Sequence, residues 1–341
     1  SVGMLDASTL GKIDIRGADA GEFLDRVYVN RFSTLGAGRC RYGLMLRLDG
    51  MVFDDGVTTR LGPNHFLMTT TTGGAARVLG WLESWLQTEW PHMRVYCTSV
   101  TEQFAVVAVT GPLARKLMAE LTNDIDLDPA TFPFMSFKDG TVAGLPARVY
   151  RISFTGELSY EINVQPSYAM TLWRALMAAG EKYGITPYGT EAMHVLRAEK
   201  GFIIVGQETD GTVTPHDLGM GWIVSKQKKD FLGKRSLTRP DTARPDRKQL
   251  VGLLSENPSE VIPEGGQIVA ELKDKPPMAM LGHVTSSYYS PNCGRSIALA
   301  LVKNGRNRLG ETVYVPLEGR TLRAKVSEPK FFDPEGKRLD G

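Results

Sequence analysis

The pattern of secondary structure changes near residues 240–248, and this change constrains the fold more than any other feature of the chain. From Leu250 onwards the chain consists of short apolar runs of strand type with turn residues between them. This spacing predicts a small β-barrel or β-sandwich. The predicted strands are Leu250–Leu254, Gln267–Leu272, Met280–Ser286, Ser296–Val302, Thr312–Val315 and Thr321–Val326.

Before residue 240, strand-like segments alternate with amphipathic helices and tight turns. Cys40–Leu48 and Met51–Arg60 predict a hairpin around a Leu-Asp-Gly turn. Apolar residues recur at helical spacing in Gly74–Trp90, and further helices are predicted at Ser167–Tyr183 and Thr190–Lys200. Hairpins mixed with helices favour an α+β fold with mixed or antiparallel sheets over a doubly wound parallel sheet.

Residues 225–249 separate the two patterns and are rich in basic side chains. Nine of them are basic and three are acidic, and Pro240 and Pro245 interrupt them. We expect a solvated linker, with a patch for a polyanionic ligand or an acidic partner as the alternative. The expected domains are therefore residues 1–240, built of two lobes, and residues 248–335.

Charge and apolar content exclude several classes of protein. Lys and Arg number 40 against 38 Asp and Glu, a net charge of +2, whereas nucleic-acid-binding proteins usually have a basic excess. No apolar run approaches the roughly 20 residues that span a bilayer, and residues 1–14 lack the features of a signal peptide. We expect a cytoplasmic protein. Because strand-like residues follow Ser1 so closely, we also expect one module of a longer polypeptide.

Several familiar catalytic and cofactor motifs are absent from the sequence. No Gly-x-Gly-x-x-Gly, phosphate-binding loop or Gly-x-Ser-x-Gly motif occurs. The five histidines are scattered, and the three cysteines, Cys40, Cys97 and Cys293, lie far apart. The sequence therefore predicts no nucleotide fold, no metal site and no disulfide framework.

Two adjacent carboxylates occur in the apolar run Gly50–Gly56. Neighbouring residues of a strand point to opposite faces, so either Asp54 or Asp55 is expected to face inward. An ionised carboxylate in the interior is costly unless it is paired or used in function. The alternative is that one of the pair caps a bend or bulge.

Another carboxylate, that of Glu161, follows a Thr-Gly-Glu turn in Phe154–Glu161. Glu161 enters a predicted strand between Tyr160 and Ile162. It is suited to accept hydrogen bonds from a heterocycle with an amide-like N–H edge. The alternative is an exposed glutamate on a strand face.

A cation lies near the end of the helix that precedes Gly201, a residue type typical of helix C-termini. Arg197 shares the face of Met193, four residues earlier. Its guanidinium is placed to reach a carboxylate or a ring. The alternative is an ion pair with Glu199 or another acid.

These segments, in this order, resemble the tetrahydrofolate-dependent aminomethyltransferases, the family of the T-protein of the glycine cleavage system. The matching segments are Met51–Asp55, Phe154–Glu161, Leu196–Gly201, Gly206–Glu208, Thr214–Pro215, Gly219–Trp222, Asp230–Lys234 and Ser290–Ala300. The resemblance implies an aminomethyltransferase-like, three-lobed α+β fold with mixed or antiparallel sheets, folate in a central channel and a small C-terminal β-barrel.

Within that family, residues 51–60, 66–73 and 95–103 most resemble the C-terminal folate-binding portion of heterotetrameric sarcosine oxidase alpha subunits. The resemblance implies that tetrahydrofolate takes the one-carbon unit from the imine product of sarcosine oxidation, giving 5,10-methylenetetrahydrofolate and glycine. It implies other sarcosine oxidase subunits as partners, and NAD and flavin elsewhere in the full enzyme. No nucleic acid or membrane partner is expected.

The same resemblance assigns roles to individual residues. Asp54 would be the catalytic carboxylate beside the reacting nitrogens. Glu161 would hydrogen-bond the amino-pyrimidinone edge of the pterin, and Arg197 would contact the same region. The remaining expected pocket residues are Tyr42, Thr69, Phe154 and Trp222. The family commonly has Asn at the position of Thr69 and Tyr at that of Phe154, which leaves individual hydrogen bonds open.

Two other functions remain open from the sequence. The first is the aminomethyltransferase of the glycine cleavage system itself, which would have a lipoyl protein as partner. The second is a noncatalytic scaffold that serves assembly or binds folate without turnover. Dimethylglycine-oxidising enzymes and sulfonium demethylases of the same family are not separated from these by pocket residues.

Overall fold

Two open β-sheets, a closed β-barrel and five α-helices form residues 1–340 of the chain, the part that the computed structural model describes. The strands are β1 Val2–Asp6, β2 Gly11–Arg16, β3 Cys40–Leu46, β4 Val52–Gly62, β5 His65–Thr70, β6 Tyr96–Ser99, β7 Ala105–Thr110, β8 Ser136–Val142, β9 Leu145–Arg151, β10 Ser159–Val164, β11 Ile185–Pro187, β12 Lys248–Ser255, β13 Gln267–Val269, β14 Met280–Ser290, β15 Arg295–Lys303, β16 Thr312–Leu317 and β17 Arg320–Ser327. The helices are α1 Ala20–Val27, α2 Ala75–Thr88, α3 Ala114–Leu121, α4 Ala169–Gly180 and α5 Thr190–Glu199.

The first sheet is antiparallel, with the strand order β3-β4-β5-β2-β6. Its apolar face packs against α1 and α2, where Phe23, Val78 and Leu82 are fully buried. The opposite face is more polar: Lys12 lies opposite Thr69 in one strand pair, and Tyr42 opposite Val57 in another. Because side chains alternate along a strand, the residues of this polar face point away from the helices.

The second sheet has the order β11-β1-β7-β10-β9-β8 and is antiparallel except for the β1–β11 pair. The helices α3 and α4 pack on one face through Leu117, Leu172 and Leu176, all fully buried. The other face carries Glu161, which lies opposite Ala108 of β7. Glu161 is therefore held on the sheet face that the helices do not cover.

The last strands close into a six-stranded barrel of order β12-β15-β14-β13-β16-β17. Alternate residues such as Leu253, Ala298 and Val315 fill its interior. Residues on the outside, among them Leu250 and Leu299, pack against Leu44 of β3 and so join the barrel to the first sheet. The α+β class and the C-terminal barrel predicted from the sequence are confirmed, and each of the six predicted barrel strands is present.

The basic stretch between the two patterns is not a free linker. Lys228 and Arg247 are both less than a tenth exposed. The Lys228 ammonium donates to the carbonyl oxygens of Tyr28 and Asn30, and the Arg247 guanidinium donates to Asp217 at 3.0 Å. The expectation of a solvated linker is wrong for these side chains, because carbonyl and carboxylate groups of distant segments compensate their charge.

In the described part of the chain, the helices are too short or too polar to cross a membrane.

Candidate functional site

A large cavity of about 2420 Å³ lies where the two sheets and the barrel meet. Its walls come from the polar face of the first sheet, the helix-free face of the second sheet, α5 with the loop after it, and the outside of the barrel. Pockets for small ligands usually measure roughly 300–1,000 Å³. The cavity is therefore large enough for an elongated ligand together with a second small molecule.

Asp54 and Asp55 sit on opposite faces of β4, as strand alternation requires. Asp54 is completely buried on the side of α2, where it accepts hydrogen bonds from the Thr71 hydroxyl at 2.8 Å and the Thr71 N–H at 3.3 Å. Burial raises the pKa of Asp54, and the Thr71 hydrogen bonds oppose that shift. Asp54 does not line the cavity, so its carboxylate supports the strand and the Thr71 turn from behind.

Asp55 is the member of the pair that lines the cavity. Tyr42 reaches it from β3 and donates its hydroxyl to Oδ2 at 2.6 Å. Burial raises the pKa of Asp55 to about 7, and the neighbouring Asp54 charge adds to the shift. Burial also raises the pKa of Tyr42 well above its usual value, so Tyr42 stays protonated as the donor. A carboxylate that titrates near neutral pH is suited to hold a proton or to stabilise positive charge.

Glu161 lines the cavity from the second sheet. No residue in the range 1–340 donates a hydrogen bond to its carboxylate. Burial raises the pKa of Glu161 to about 7, and the charge of Lys12 opposes the shift. The Lys12 ammonium itself donates to the carbonyl oxygens of Ser8 and Leu10, at 3.0 and 2.7 Å. Glu161 is half-buried at the cavity wall. Its carboxylate is therefore free to accept hydrogen bonds from a ligand with N–H donors.

The other predicted pocket residues reach the cavity in different ways. Thr69 lines it, but its hydroxyl bonds the backbone N–H and carbonyl of Val57 on β4. Phe154 lies at the wall with its ring stacked on Phe202, 6.3 Å between centroids. Trp222 is at the rim and is 76% exposed. The Thr69 hydroxyl therefore joins β5 to β4, and the two aromatic residues offer apolar contact surface.

Arg197 is placed behind the cavity wall and does not line it. It is fully buried and pairs with Glu208 at 2.7 Å, and it also donates to the Phe202 carbonyl and to the Ser286 hydroxyl of the barrel. Glu208 in turn accepts the N–H of Ile204 at 2.8 Å. The pair thus holds the loop of residues 201–206, which forms part of the wall. Of the alternatives open from sequence, the structure shows an ion pair, and its partner is Glu208.

Comparison with known proteins supports the resemblance found in the sequence. The GCVT N-terminal domain profile matches residues 1–228, and the glycine cleavage T-protein C-terminal barrel domain matches residues 248–333. The chain belongs to the glycine cleavage T-protein family. The fold of a family member agrees: the glycine cleavage system aminomethyltransferase T of Bartonella henselae superposes with a TM-score of 0.84 over 98% of this chain and 87% of that one, at 23% identity. The aminomethyltransferase-like fold is therefore confirmed.

Two kinds of relative match the whole length of this T-protein family member. The sarcosine oxidase subunit alpha of Corynebacterium sp. (strain P-1) is 57% identical over 100% of the chain, and that of Rhizobium meliloti (strain 1021) is 46% identical over 99%. The aminomethyltransferase of Bacillus subtilis (strain 168) is 31% identical over 97%. The chain spans 36% and 34% of the two alpha subunits, against 88% of the aminomethyltransferase.

Sequence reasoning missed two parts of this T-protein-type site. It named Asp54, whereas Asp55 is the carboxylate that faces the cavity. Side-chain alternation along β4 predicts that Asp54 and Asp55 point to opposite faces of the sheet, but it does not predict which of them faces the cavity. It also missed Arg31 and Arg41, which line the cavity near Tyr42. No local pattern distinguishes these arginines from ordinary surface cations, so no sequence signal was available.

Proposed function

We propose that this chain is the tetrahydrofolate-binding module of a sarcosine oxidase. In this role it transfers the one-carbon unit of the imine product of sarcosine oxidation to tetrahydrofolate, giving 5,10-methylenetetrahydrofolate and glycine. The observation that carries the proposal is the pair of carboxyl groups, Asp55 and Glu161, that face one cavity from two different sheets, each with its pKa raised to about 7. The similarity to sarcosine oxidase alpha subunits supports the choice of amine.

Glu161 fits the pyrimidinone edge of a pterin. Its carboxylate has no donor from the described residues, and the adjacent ring N–H and amino groups of that edge present two donors to one carboxylate. A bidentate arrangement of this kind is strong and directional when the acceptor is ionised. We therefore assign Glu161 to holding the pterin in one orientation.

Asp55 fits the reacting end of the site. Tetrahydrofolate supplies the nitrogen nucleophile, so the protein contributes position and electrostatics. Asp55 is held by Tyr42 at 2.6 Å, which fixes the direction of its carboxylate. When ionised it stabilises a cationic iminium in the cavity, and when protonated it can return a proton to a nitrogen. The assignment of catalysis to Asp54 stays a prediction, and the cavity geometry favours Asp55.

The larger setting is proposed on the same basis. NAD and flavin are expected outside residues 1–341, together with contacts to other subunits of a sarcosine oxidase, in the cytoplasm. The domain division into residues 1–240 and 248–335 is retained as a proposal. An aminomethyltransferase of the glycine cleavage system is less favoured, because identity to the alpha subunits is 57% and 46% against 31% for the B. subtilis aminomethyltransferase. A noncatalytic scaffold is also less favoured, because two titratable carboxyl groups in a cavity are costly to keep without use.

Titration calorimetry with tetrahydrofolate, followed by product analysis during sarcosine turnover by the complete protein, tests the function. We expect saturable binding and formation of 5,10-methylenetetrahydrofolate in place of free formaldehyde. Absence of binding at millimolar tetrahydrofolate would reject the folate assignment. Binding without any change in the formaldehyde yield would favour the scaffold.

A further inference from the structure

Two arginines stand side by side on the cavity wall without an acidic partner. Arg31 and Arg41 both line the cavity and are half-buried. Arg41 donates to the backbone carbonyl of Arg31, and Arg31 donates to the Gln227 side chain at 2.8 Å. Neither guanidinium lies within ion-pair distance of a carboxylate in residues 1–340. By contrast Lys200, on another part of the wall, pairs with Asp333 at 2.8 Å.

The positive charge at this place is poorly compensated. Burial lowers the pKa of Arg41; the nearby Asp25 opposes this effect, and Arg31 adds to it. The Asp25 carboxylate is occupied, since it accepts the N–H groups of Phe32 and Ser33 and the Ser33 hydroxyl. Two like charges in a partly desolvated wall cost free energy, which an incoming anion would recover.

Asn30, next to this pair, adds an independent sign of a missing ligand. It lines the cavity and is only 8% exposed. Its Nδ2 donates to the Tyr42 carbonyl at 2.8 Å, which fixes the orientation of the amide. Its Oδ1 is buried and has no hydrogen-bond partner in the described residues. Of the residues with such an unpaired buried side-chain atom in the described chain, Asn30 is the one that lines the cavity, so a ligand there can supply the missing donor.

The position of this cluster relative to the carboxylates suits one elongated ligand. Lys12, whose charge acts on Glu161, lies on the same face of the first sheet as Tyr42, the residue next to Arg41. They are separated by the three strand steps β2-β5-β4-β3, or roughly 14 Å at about 4.8 Å per step. Tyr42 also contacts Asp55. A ligand whose heterocycle meets Glu161 can therefore pass Asp55 and bring its far end to the arginines.

We propose that Asn30, Arg31 and Arg41 form a subsite for an amide-linked carboxylate at the far end of the folate. The Asn30 Oδ1 accepts the N–H of the amide that joins the benzoyl group to glutamate, and the two guanidinium groups bind the glutamate carboxylate. Arginine suits this task because its planar fork matches a carboxylate. Lys226 and Lys229, exposed on either side of Gln227, extend the positive surface for further γ-linked glutamates. This subsite rests on the proposed folate function.

The test compares ligands that differ only at that end. Calorimetry of the complete protein would use the tetrahydropteroyl amide, which keeps the amide N–H but lacks the glutamate carboxylates, with tetrahydrofolate and its triglutamate. We expect tetrahydrofolate to bind at least about tenfold more tightly than this amide, the gain typical of a hydrogen-bonded charged group. In the double variant Arg31→Gln/Arg41→Gln this ratio should fall to about one, with the affinity for the amide unchanged.

Arg235→Gln is the matched control. Arg235 is an exposed arginine of the same basic stretch, away from the cavity, and its side chain has no bond to any described residue. It should retain the wild-type ratio. A ratio unchanged in the double variant would overturn the subsite, whereas loss of binding of all three ligands by the wild type would reject the folate function instead.

One alternative source of the carboxylate is the amino-acid-derived imine. If the arginines bind that group, the double variant would lower the yield of 5,10-methylenetetrahydrofolate relative to free formaldehyde and leave the ratio of the folate ligands intact. That result would overturn the assignment to the folate end.

Discussion

Asp54 and Asp55 have identical side chains and adjacent positions on β4, but they lie in different environments. Both carboxyl groups have their pKa raised by burial, but only Asp55 reaches the cavity and the Tyr42 hydroxyl. Asp54 is used to hold the Thr71 turn. The chemistry of the residue type is shared, so the difference in role comes entirely from the face of β4 on which each side chain lies.

Substitution of each aspartate by asparagine separates these roles. We expect Asp55→Asn to lower the rate of methylene transfer by about 100-fold or more, because it removes the charge and the proton from the reacting end. Tetrahydrofolate affinity should change by less than about threefold. Asp54→Asn should mainly lower stability, by about 1 kcal/mol, through a weaker bond to Thr71. Single-turnover kinetics and thermal unfolding measure the two effects. A larger loss of transfer in Asp54→Asn would support the sequence-based assignment instead.

If Glu161 holds the pterin as proposed, we expect folate affinity to depend on pH. Burial raises its pKa to about 7, so it is largely protonated at pH 6 and ionised at pH 8. A pterin edge that donates two N–H groups binds the ionised form, and binding therefore releases a proton below pH 7. We expect tetrahydrofolate affinity to rise by about tenfold from pH 6 to pH 8. Glu161→Gln should bind more weakly and show a smaller rise, due to Asp55. A flat wild-type profile would argue against Glu161 as the acceptor.

Gly56, the residue after Asp55, leaves no room for a side chain between β4 and β5. A Cβ added at Gly56 would lie 2.0 Å from the Thr69 carbonyl oxygen, a backbone atom that cannot move away by itself. Glycine is therefore required here by the distance between the strands. This close approach brings Asp55 and Thr69 onto one continuous wall.

Gly56→Ala tests this packing. We expect it to lower the free energy of unfolding by about 1–3 kcal/mol, the usual cost of overpacking. Gly62→Ala on the same strand is the control, since its Cβ would meet only the His65 Cβ at 3.9 Å, and its effect should stay within about 0.5 kcal/mol. Chemical denaturation of both variants measures the difference. Equal stability of the two variants would show that the strands can separate at little cost.

The segment after β17 connects the barrel to the rest of the protein. The N–H groups of Phe331 and Phe332 donate to the Glu199 carbonyl at the end of α5, at 2.8 and 3.1 Å. Lys200 pairs with Asp333 at 2.8 Å with both side chains mostly buried. Lys200 also lines the cavity. The tail therefore stabilises the junction at which the barrel and α5 enclose the site.

Asp333→Ala should weaken this junction. It leaves the Lys200 ammonium with only the Asp333 carbonyl as partner, and the loss of a hydrogen bond to a charged group costs about 1.5–3 kcal/mol. Glu335→Ala is the control, because its pair with Lys337 is exposed and such pairs contribute about 0–1 kcal/mol. Thermal unfolding and tetrahydrofolate affinity are the measurements. Unchanged unfolding of Asp333→Ala would mean that the tail does not stabilise the junction.

Much of the architecture was predictable because it depends on local pattern. Apolar alternation and turn residues located the six barrel strands, although β13 ends at Val269 and not at Leu272. Apolar spacing located α2 within two residues at either end, Ala75–Thr88 against Gly74–Trp90. The resemblance to the family was found from the residues of short segments and from their order along the chain.

The α+β class, the barrel and the presence of carboxylates in strands are predictable from the sequence, because the periods of strands and helices are visible among neighbouring residues. Three features are visible only in the folded chain: Asp55 faces the cavity, Arg197 pairs with Glu208, and Arg31 and Arg41 lie together without an ion-paired carboxylate in residues 1–340. Each of these depends on which distant segments pack against a residue. Such contacts are set by the pairing of strands and the packing of sheets, which no local pattern records.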